Sequence, residues 1–161
     1  MDAKPARLSR TVLTEIILPA DTNYHHTVFG GRVMQYIDKV ATIASMRHSR
    51  RGVVTASSDS LDFFAPVKLG EAIQLEAIVT WTHRSSMEVY VKVESENLLT
   101  GEKKTTAESY LTFVALDEKG QPTPVPAIIP ETDEEKRLFE TAAARYEARK
   151  QRKAERMAHT F

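Results

Sequence analysis

The stretch VFGGRVMQYIDKVATIASMRH, residues 28–48, places Val33, Met34, Ile37, Val40, Ala41 and Ala44 at three- and four-residue spacings. That pattern predicts an amphipathic helix about five turns long. Gly30 and Gly31 lie in its first turn, and a carboxylate, Asp38, sits at the border of its apolar stripe. No other strong helical pattern precedes residue 131. From Gly52 onward the period changes to two. Ile73, Leu75, Ala77, Val79 and Trp81 share one face, as do Met87, Val89, Val91 and Val93, then Leu111, Phe113 and Ala115, which predicts long strands. Turn residues at 66–71, 83–86, 99–102 and 117–120 separate them and make successive strands expected antiparallel neighbours. One long helix beside several one-sided strands buries most apolar surface if the sheet curls around the helix, an α+β arrangement.

The chain of 161 residues fits one domain able to bury a core unaided. Its 22 basic and 22 acidic side chains cancel, so no global field favours nucleic acid or an anionic membrane, and neither is an expected partner. The absence of cysteine removes disulfides, zinc-thiolate sites and a thiol nucleophile. No apolar signal core opens the chain and no long uncharged apolar run interrupts it, so the expectation is a cytoplasmic protein without membrane insertion.

A composition shift near residue 120 divides the chain into an expected domain at 1–120 and an appendage at 121–161. The appendage starts as the Pro-rich connector QPTPVPAIIP, in which each proline lacks an N–H and restrains its predecessor. A second helix follows. Thr132 with Glu135 reads as a capping box, and Asp133 and Glu134 suit the positive end of the dipole. Leu138, Phe139, Ala142 and Tyr146 would dock it, while Arg149, Lys150, Arg152, Lys153 and Arg156 read as cations placed near its carbonyl end.

Motif chemistry is mostly subtractive. Gly-x-Ser-x-Gly, the phosphate-cradling Gly-rich loop and His-Glu-x-x-His are absent. His25 and His26 are adjacent without a partner at metal-ligand spacing, so no metal site is expected. The helix start remains. Up to four N–H groups there lack an intrahelical acceptor, and Gly30 and Gly31 have no side chain to shield them. An acyl carbonyl placed there would gain roughly 3–4 kcal/mol per donor as charge develops on its oxygen. Close packing of the helix on the sheet is the alternative role for the glycines. Asp38 is too far from either helix end to act as a cap, and a buried carboxylate must be paired or functional. Thr42, one turn on, is a candidate partner; rotation of Asp38 into solvent is the other possibility. Gly30 and Asp38 are about 12 Å apart along the axis, too far to meet one carbonyl carbon, a gap that two chains could close.

These residues resemble the hotdog-fold acyl-coenzyme A thioesterases, in particular the cytosolic long-chain acyl-CoA hydrolases and their single-domain bacterial relatives. The resemblance is carried by DTNYHHTVFGGRVMQYIDKVA, RGVVTASSDSLDFFAPVKLGE, HRSSMEVYVKVE and PVPAIIPETDEEKRLFE, in that order. It implies a long antiparallel sheet wrapped around one central helix, with the additional C-terminal helix outside. It also implies hydrolysis of acyl-coenzyme A to a carboxylate and free coenzyme A without a cofactor. The minimal active unit would be a homodimer, assembled into a hexamer as a trimer of dimers. Asn23 and Asp38 match the catalytic positions and would come from different copies in each site. Gly30 and Gly31 match the helix start that polarises the thioester carbonyl. Asp38 would be general base or nucleophile. Arg84, Ser85 and Ser86, a polar strand turn by themselves, would lie near bound coenzyme A; Thr42 and Thr55 are further candidates for lining the site. Phe63 and Phe64 are expected in the core rather than in an acyl pocket. His25-His26 departs from the small residue or glycine common in relatives. A non-catalytic acyl-CoA-binding module on the same fold is the alternative function, and a hydratase a weaker third.

Overall fold

The computed structural model describes residues 1–160. In chain order the elements are β1 (Lys4–Pro5), β2 (Thr11–Ile16), α1 (Gly30–Ser49), β3 (Gly52–Phe63), β4 (Ala72–His83), β5 (Ser86–Glu96), β6 (Lys103–Leu116), β7 (Ile128–Ile129) and α2 (Asp133–Thr160). Five strands form one antiparallel sheet in the order β2-β4-β5-β6-β3. This is the α+β hotdog arrangement of a sheet around a central helix, with a second helix at the C-terminal end.

The helix stripe and the strand alternation meet as the periodicities require. Val33, Ile37, Val40, Ala41 and Ala44 are at most 3% exposed. They contact the inward residues of β4, β5 and β6, from Ile73 to Ala115, which are also buried, and α1 touches all five strands. Met34 and Trp81 are the exceptions: Met34, half exposed, stays outside the core that its spacing suggested, and Trp81, shifted out of register after Val79, leaves the core face and lies against Tyr146 of α2 (5.5 Å between rings).

Neighbouring in sequence did not fix neighbouring in space. The expectation that successive strands pair fails between β3 and β4. Residues 64–71 form a crossover that carries the chain to the other side of the sheet, so β3 pairs with β6. β2, not anticipated from TVLTEI, pairs with β4 on the outer side. Among the described residues one edge of β3, a strand of 12 residues, has no partner strand.

β1 pairs in parallel with β7 and so ties the first residues to the Pro-rich connector. The connector is anchored by Val125 N donating to the Arg84 carbonyl (2.9 Å) and by His48 Nε2 donating to the Pro126 carbonyl (2.6 Å). α2 then crosses the sheet face opposite α1. Its start carries the expected Thr132–Glu135 cap, with Glu135 N donating to Thr132 Oγ1 (3.1 Å) and the Glu135 carboxylate accepting from Glu131 N (3.1 Å). Leu138 and Ala142 are buried in its docking face. The Arg145 guanidinium grips the Glu88 carboxylate of β5 with two donors (2.8 and 2.9 Å), and Thr80 Oγ1 adds a third (2.6 Å). One turn later Arg149 reaches Asp59 on β3 (3.0 Å). Among the described residues no helix is long and apolar enough to cross a membrane.

Candidate active site

The segment before α1 is held on both sides. Asp21 accepts from Phe29 N through its carbonyl (3.0 Å), from Leu18 N through Oδ2 (3.0 Å), and pairs through Oδ1 with Arg32 (3.2 Å). The crossover holds the other flank: Val28 N donates to the Val67 carbonyl and Leu69 N to the His26 carbonyl, both at 2.9 Å. His26 sits at φ 60°, a left-handed turn that lets the chain double back before the helix. His25 and His26 are exposed loop residues.

Asn23 organises this loop. Its Oδ1 accepts from His25 N (2.9 Å), Thr27 N (3.4 Å) and Thr27 Oγ1 (3.3 Å). The carboxamide oxygen is therefore engaged, and the amide Nδ2 is the group left to donate outward, with no partner among the described residues. Phe29 is the N-cap of α1 and provides no side-chain cap. Arg32 N and Val33 N turn back to the Phe29 carbonyl (3.0 and 3.2 Å). The N–H groups of Gly30 and Gly31 find no acceptor among the described residues, the condition that makes a helix start a receptor for a developing negative charge.

The glycines are not there to let α1 pack closely. A Cβ built at Gly31 would meet nothing within 4 Å, and one at Gly30 only the ring of Phe63 at 3.8 Å. Beside Gly30 lies a small apolar pocket of about 150 Å3 lined by Val28, Val33, Phe63, Val67 and Thr106. The hydroxyl of Thr106, a residue 1% exposed, has no hydrogen-bond partner among the described residues and had no signal in the sequence. Phe63 and Phe64, at 50% and 56% exposure, are not core residues of this chain.

Asp38 is also exposed. It borders the buried stripe as the spacing indicated, but the sheet ends before covering it. Its partner is Thr55 of β3, whose Oγ1 donates to Asp38 Oδ1 at 2.9 Å. Thr42 does not bind the carboxylate; its hydroxyl donates to the Asp38 backbone carbonyl (2.7 Å), a bond common for Thr inside a helix. Thr42 is thereby removed as the partner of the carboxylate. Oδ2 of Asp38 has no partner among the described residues, so the site presents one free carboxylate oxygen on the exposed helix face, two turns from the open N–H groups.

The turn Arg84–Ser86 lies apart from this face. Arg84 is exposed at φ 55°, and its carbonyl is used by Val125. Ser86 Oγ donates to the His83 carbonyl (3.0 Å) and Ser86 borders a cleft under α2. One chain therefore brings together Asp38 and Thr55, and separately Asn23 with the loop before Gly30, while the Arg84 turn faces the α2 side.

A sheet around a helix with an open helix start and a carboxylate on the exposed helix face defines a class, and sequence comparison gives it a family. The thioesterase superfamily model matches residues 25–102. An uncharacterized acyl-CoA thioester hydrolase of Bacillus subtilis is 52% identical over 145 residues, covering 90% of this chain and 84% of that protein. The chain belongs to the thioesterase superfamily, in its hotdog acyl-CoA thioester hydrolase group. The human cytosolic acyl coenzyme A thioester hydrolase is 35% identical over 153 residues; the chain covers 40% of that longer protein, matched over 94% of its own length.

Among solved structures, an apo-hexameric acyl-CoA thioesterase superposes with a TM-score of 0.94 at 54% identity, covering 96% of this chain and 99% of that one. The acyl-CoA hydrolase of Staphylococcus aureus, solved with butyryl coenzyme A, coenzyme A and coenzyme A disulfide, superposes at 0.93 with 43% identity, covering 97% and 95%. Alanine variants of the latter were made at an asparagine, an aspartate and a threonine. Their separations of 15 and 17 residues equal those of Asn23, Asp38 and Thr55 here.

Proposed function

We infer that this chain hydrolyses acyl-coenzyme A thioesters to a carboxylate and free coenzyme A, at a site completed between two copies. The observation that carries the reading is the exposed face of α1. It holds two unpartnered N–H groups at its start and a carboxylate with one free oxygen further along, on a helix whose flank is an open strand edge.

The Gly30 and Gly31 N–H groups would receive the thioester oxygen and stabilise the charge it gains in the tetrahedral intermediate. The Asn23 amide Nδ2 would hold that carbonyl or the attacking water. Asp38 Oδ2 is the reacting carboxylate atom, whether it takes a proton from water or itself adds to the carbonyl, and Thr55 fixes its orientation. Collapse of the intermediate breaks the C–S bond, and coenzyme A leaves as its thiol once the sulfur takes the proton that Asp38 removed from water; if Asp38 itself adds to the carbonyl, the sulfur takes its proton from solvent and water then hydrolyses the acyl–Asp38 anhydride to the carboxylate. This scheme needs no metal or redox group.

Two copies are needed because about 12 Å of helix separates Gly30 from Asp38. A long unpaired strand edge is a template for pairing. Here it is flanked by Phe29, Met34, Phe63 and Phe64, each about half exposed. Pairing β3 with β3 of a second copy would cover these side chains and bring Asp38 of one copy toward the helix start of the other. The hexameric state of a structure so similar to this chain supports a trimer of such dimers, and the relatives described as cytosolic support a cytoplasmic location.

Complementation tests the shared site. Asn23→Ala and Asp38→Ala chains are co-expressed under different tags and the mixed dimer is isolated. A site built from two copies leaves one site with both lesions and one with neither, so about half of the wild-type thiol release per dimer should return. Activity staying at the level of the inactive parents in a verified mixed dimer refutes the shared site. No thiol release by the wild type across short to long acyl-coenzyme A esters would refute the enzyme.

A further inference from the structure

α2 is longer than the sheet it crosses. Its first half runs from β4 toward the unpaired edge. Leu138 lies with Ile78 of β4, Arg145 holds Glu88 of β5 (2.8 Å) and stacks on Tyr110 of β6 (4.2 Å), and Arg149 pairs with Asp59 of β3 (3.0 Å). β3 is the last strand of the sheet. The helix nevertheless continues to Thr160, and every position from 150 to 159 is exposed. At 1.5 Å per residue this stretch carries about 15 Å of helix along and beyond the β3 edge. Most helical stability in proteins comes from a packed face, and this stretch has no buried residue.

Charges are left over on both sides of that edge. Among the described residues Arg152 and Lys153 have no ion pair. Glu155, the one carboxylate between residues 150 and 159, accepts from Gln151 (3.4 Å). On the sheet, Asp62 of β3 lies directly opposite Glu108 of β6, a placement of like charges that is destabilising until a cation relieves it. Glu108 accepts from the Tyr90 hydroxyl (2.9 Å), and the exposed Asp62 has no ion pair among the described residues. Residues directly opposite share a face of the sheet. Tyr90 lies against Tyr110 (5.1 Å between rings), and Tyr110 lies under Arg145, so that face is the one α2 crosses.

The two sets of charge meet when two copies pair through β3. Asp38 is bound by Thr55, and a Cβ at Gly30 would lie 3.8 Å from the Phe63 ring. A site shared between Asp38 of one copy and the helix start of the other therefore sets Thr55 opposite Phe63 of the partner subunit. Antiparallel pairing in that register puts the two-fold axis near Asp59 and sets Ala56 opposite Asp62 of the partner subunit. Ala56 borders the same cleft as Arg152 and Lys153. We propose that the second half of α2 is a clasp over the joint between two copies, in which Arg152 and Lys153 pair with Asp62 of the partner subunit, once on each side of the axis. The clasp rests on the shared-site reading and adds a charged lock on the sheet face opposite the chemistry.

Charge reversal tests this. Full-length Asp62→Arg and Arg152→Glu/Lys153→Glu chains are followed by sedimentation over a dilution series, apart and mixed. Each variant alone sets like charges against each other at the joint and should dissociate to monomer at a protein concentration at least about tenfold above that of wild type. High salt should shrink the difference. In a mixed pair one clasp is native and the other has both charges reversed, so an equimolar mixture should assemble like wild type. If Asp62 met the helix of its own chain, mixing would leave both repulsions in place. Variants that assemble as well as wild type, or a mixture no tighter than its components, overturn the proposal. The chain has no cysteine, so a second readout is available. Co-expressed Asp62→Cys and Lys153→Cys chains under different tags should be joined by a short bismaleimide, and no cross-link between tags in a verified mixed assembly also overturns it. An assembled, active wild type that fails these tests loses the clasp alone. A wild type that is monomeric and active refutes the shared site and the clasp with it.

Discussion

Replacing Gly31 by alanine separates the two roles that a glycine at a helix start can have. The added Cβ meets nothing within 4 Å inside the chain, so no internal clash opposes it. In a helix alanine is favoured over glycine by up to about 1 kcal/mol, and a domain of this size gains about 2–4 °C in Tm per kcal/mol. Gly31→Ala should therefore melt no lower than wild type and up to about 4 °C higher. Its activity should move the other way. If the Gly30 and Gly31 N–H groups receive the thioester oxygen as proposed, the methyl would crowd the bound carbonyl. Loss of one oxyanion donor costs about 2.7–4 kcal/mol in known cases. A methyl that displaces the carbonyl without deleting the donor should forfeit at least about 1.4 kcal/mol, or tenfold in kcat/KM. The assay is thiol release from an acyl-coenzyme A ester, with light scattering to confirm assembly. Gly52→Ala, which also meets nothing within 4 Å, is the control and should leave kcat/KM within about twofold of wild type. A Gly31→Ala enzyme of normal assembly and normal kcat/KM would show that no substrate carbonyl sits at the helix start.

Asp38→Asn should lower turnover by at least about a hundredfold while Tm stays within about 2 °C, because the side chain is exposed and Thr55 can still donate to the amide oxygen; normal turnover would remove Asp38 from the chemistry. Arg145→Ala leaves the Glu88 carboxylate, 4% exposed, with only Thr80 as a side-chain partner. Breaking a buried pair from one side costs about 3–5 kcal/mol, and the lower figure applies because Arg145 is a quarter exposed, so thermal unfolding should begin about 6–12 °C lower, with Arg145→Met plus Glu88→Leu recovering most of the loss. Burial holds the His48 imidazole below its usual pKa, against the favourable Pro126 carbonyl and with nearby Lys4 adding to the depression. The unfolded chain therefore binds the proton more readily than the folded one. His48's contribution is complete above about pH 6.5 and declines as pH falls below it, by up to about 1.4 kcal/mol per pH unit. Urea unfolding at pH 7.5 and 5.5 should show a smaller difference for His48→Gln than for wild type; equal differences would contradict this.

What the sequence by itself determined were the properties that repeat along a single segment. The stripe from Val33 to Ala44, the alternation of Ile73–Val79 and Met87–Val93, and the Thr132–Glu135 cap were legible because helix and strand impose 3.6 and 2.0 residue periods on whatever face is buried. The same helix pattern singled out Gly30, Gly31 and Asp38, and several ordered motifs carried the family and with it the candidate Asn23. Tertiary structure decided everything that depends on where one element stops against another. Residues 64–71 have the composition of a turn whether they close a hairpin or cross the sheet, so the pairing of β3 with β6 was not in them. Asp38 lies at the margin of a stripe, and its exposure depends on the sheet ending at β3, a fact of strand order. The choice of Thr55 over Thr42 as its partner follows from the same boundary, because Thr42's hydroxyl is within reach of its own helix's carbonyl and Thr55 alone projects from the strand toward the carboxylate. The cations of α2 read as a helix-end charge pattern until the rotation of that helix on the sheet set Arg149 over Asp59 of β3, since a linear sequence gives the angle between side chains on one helix but not the direction in which that helix faces its neighbour.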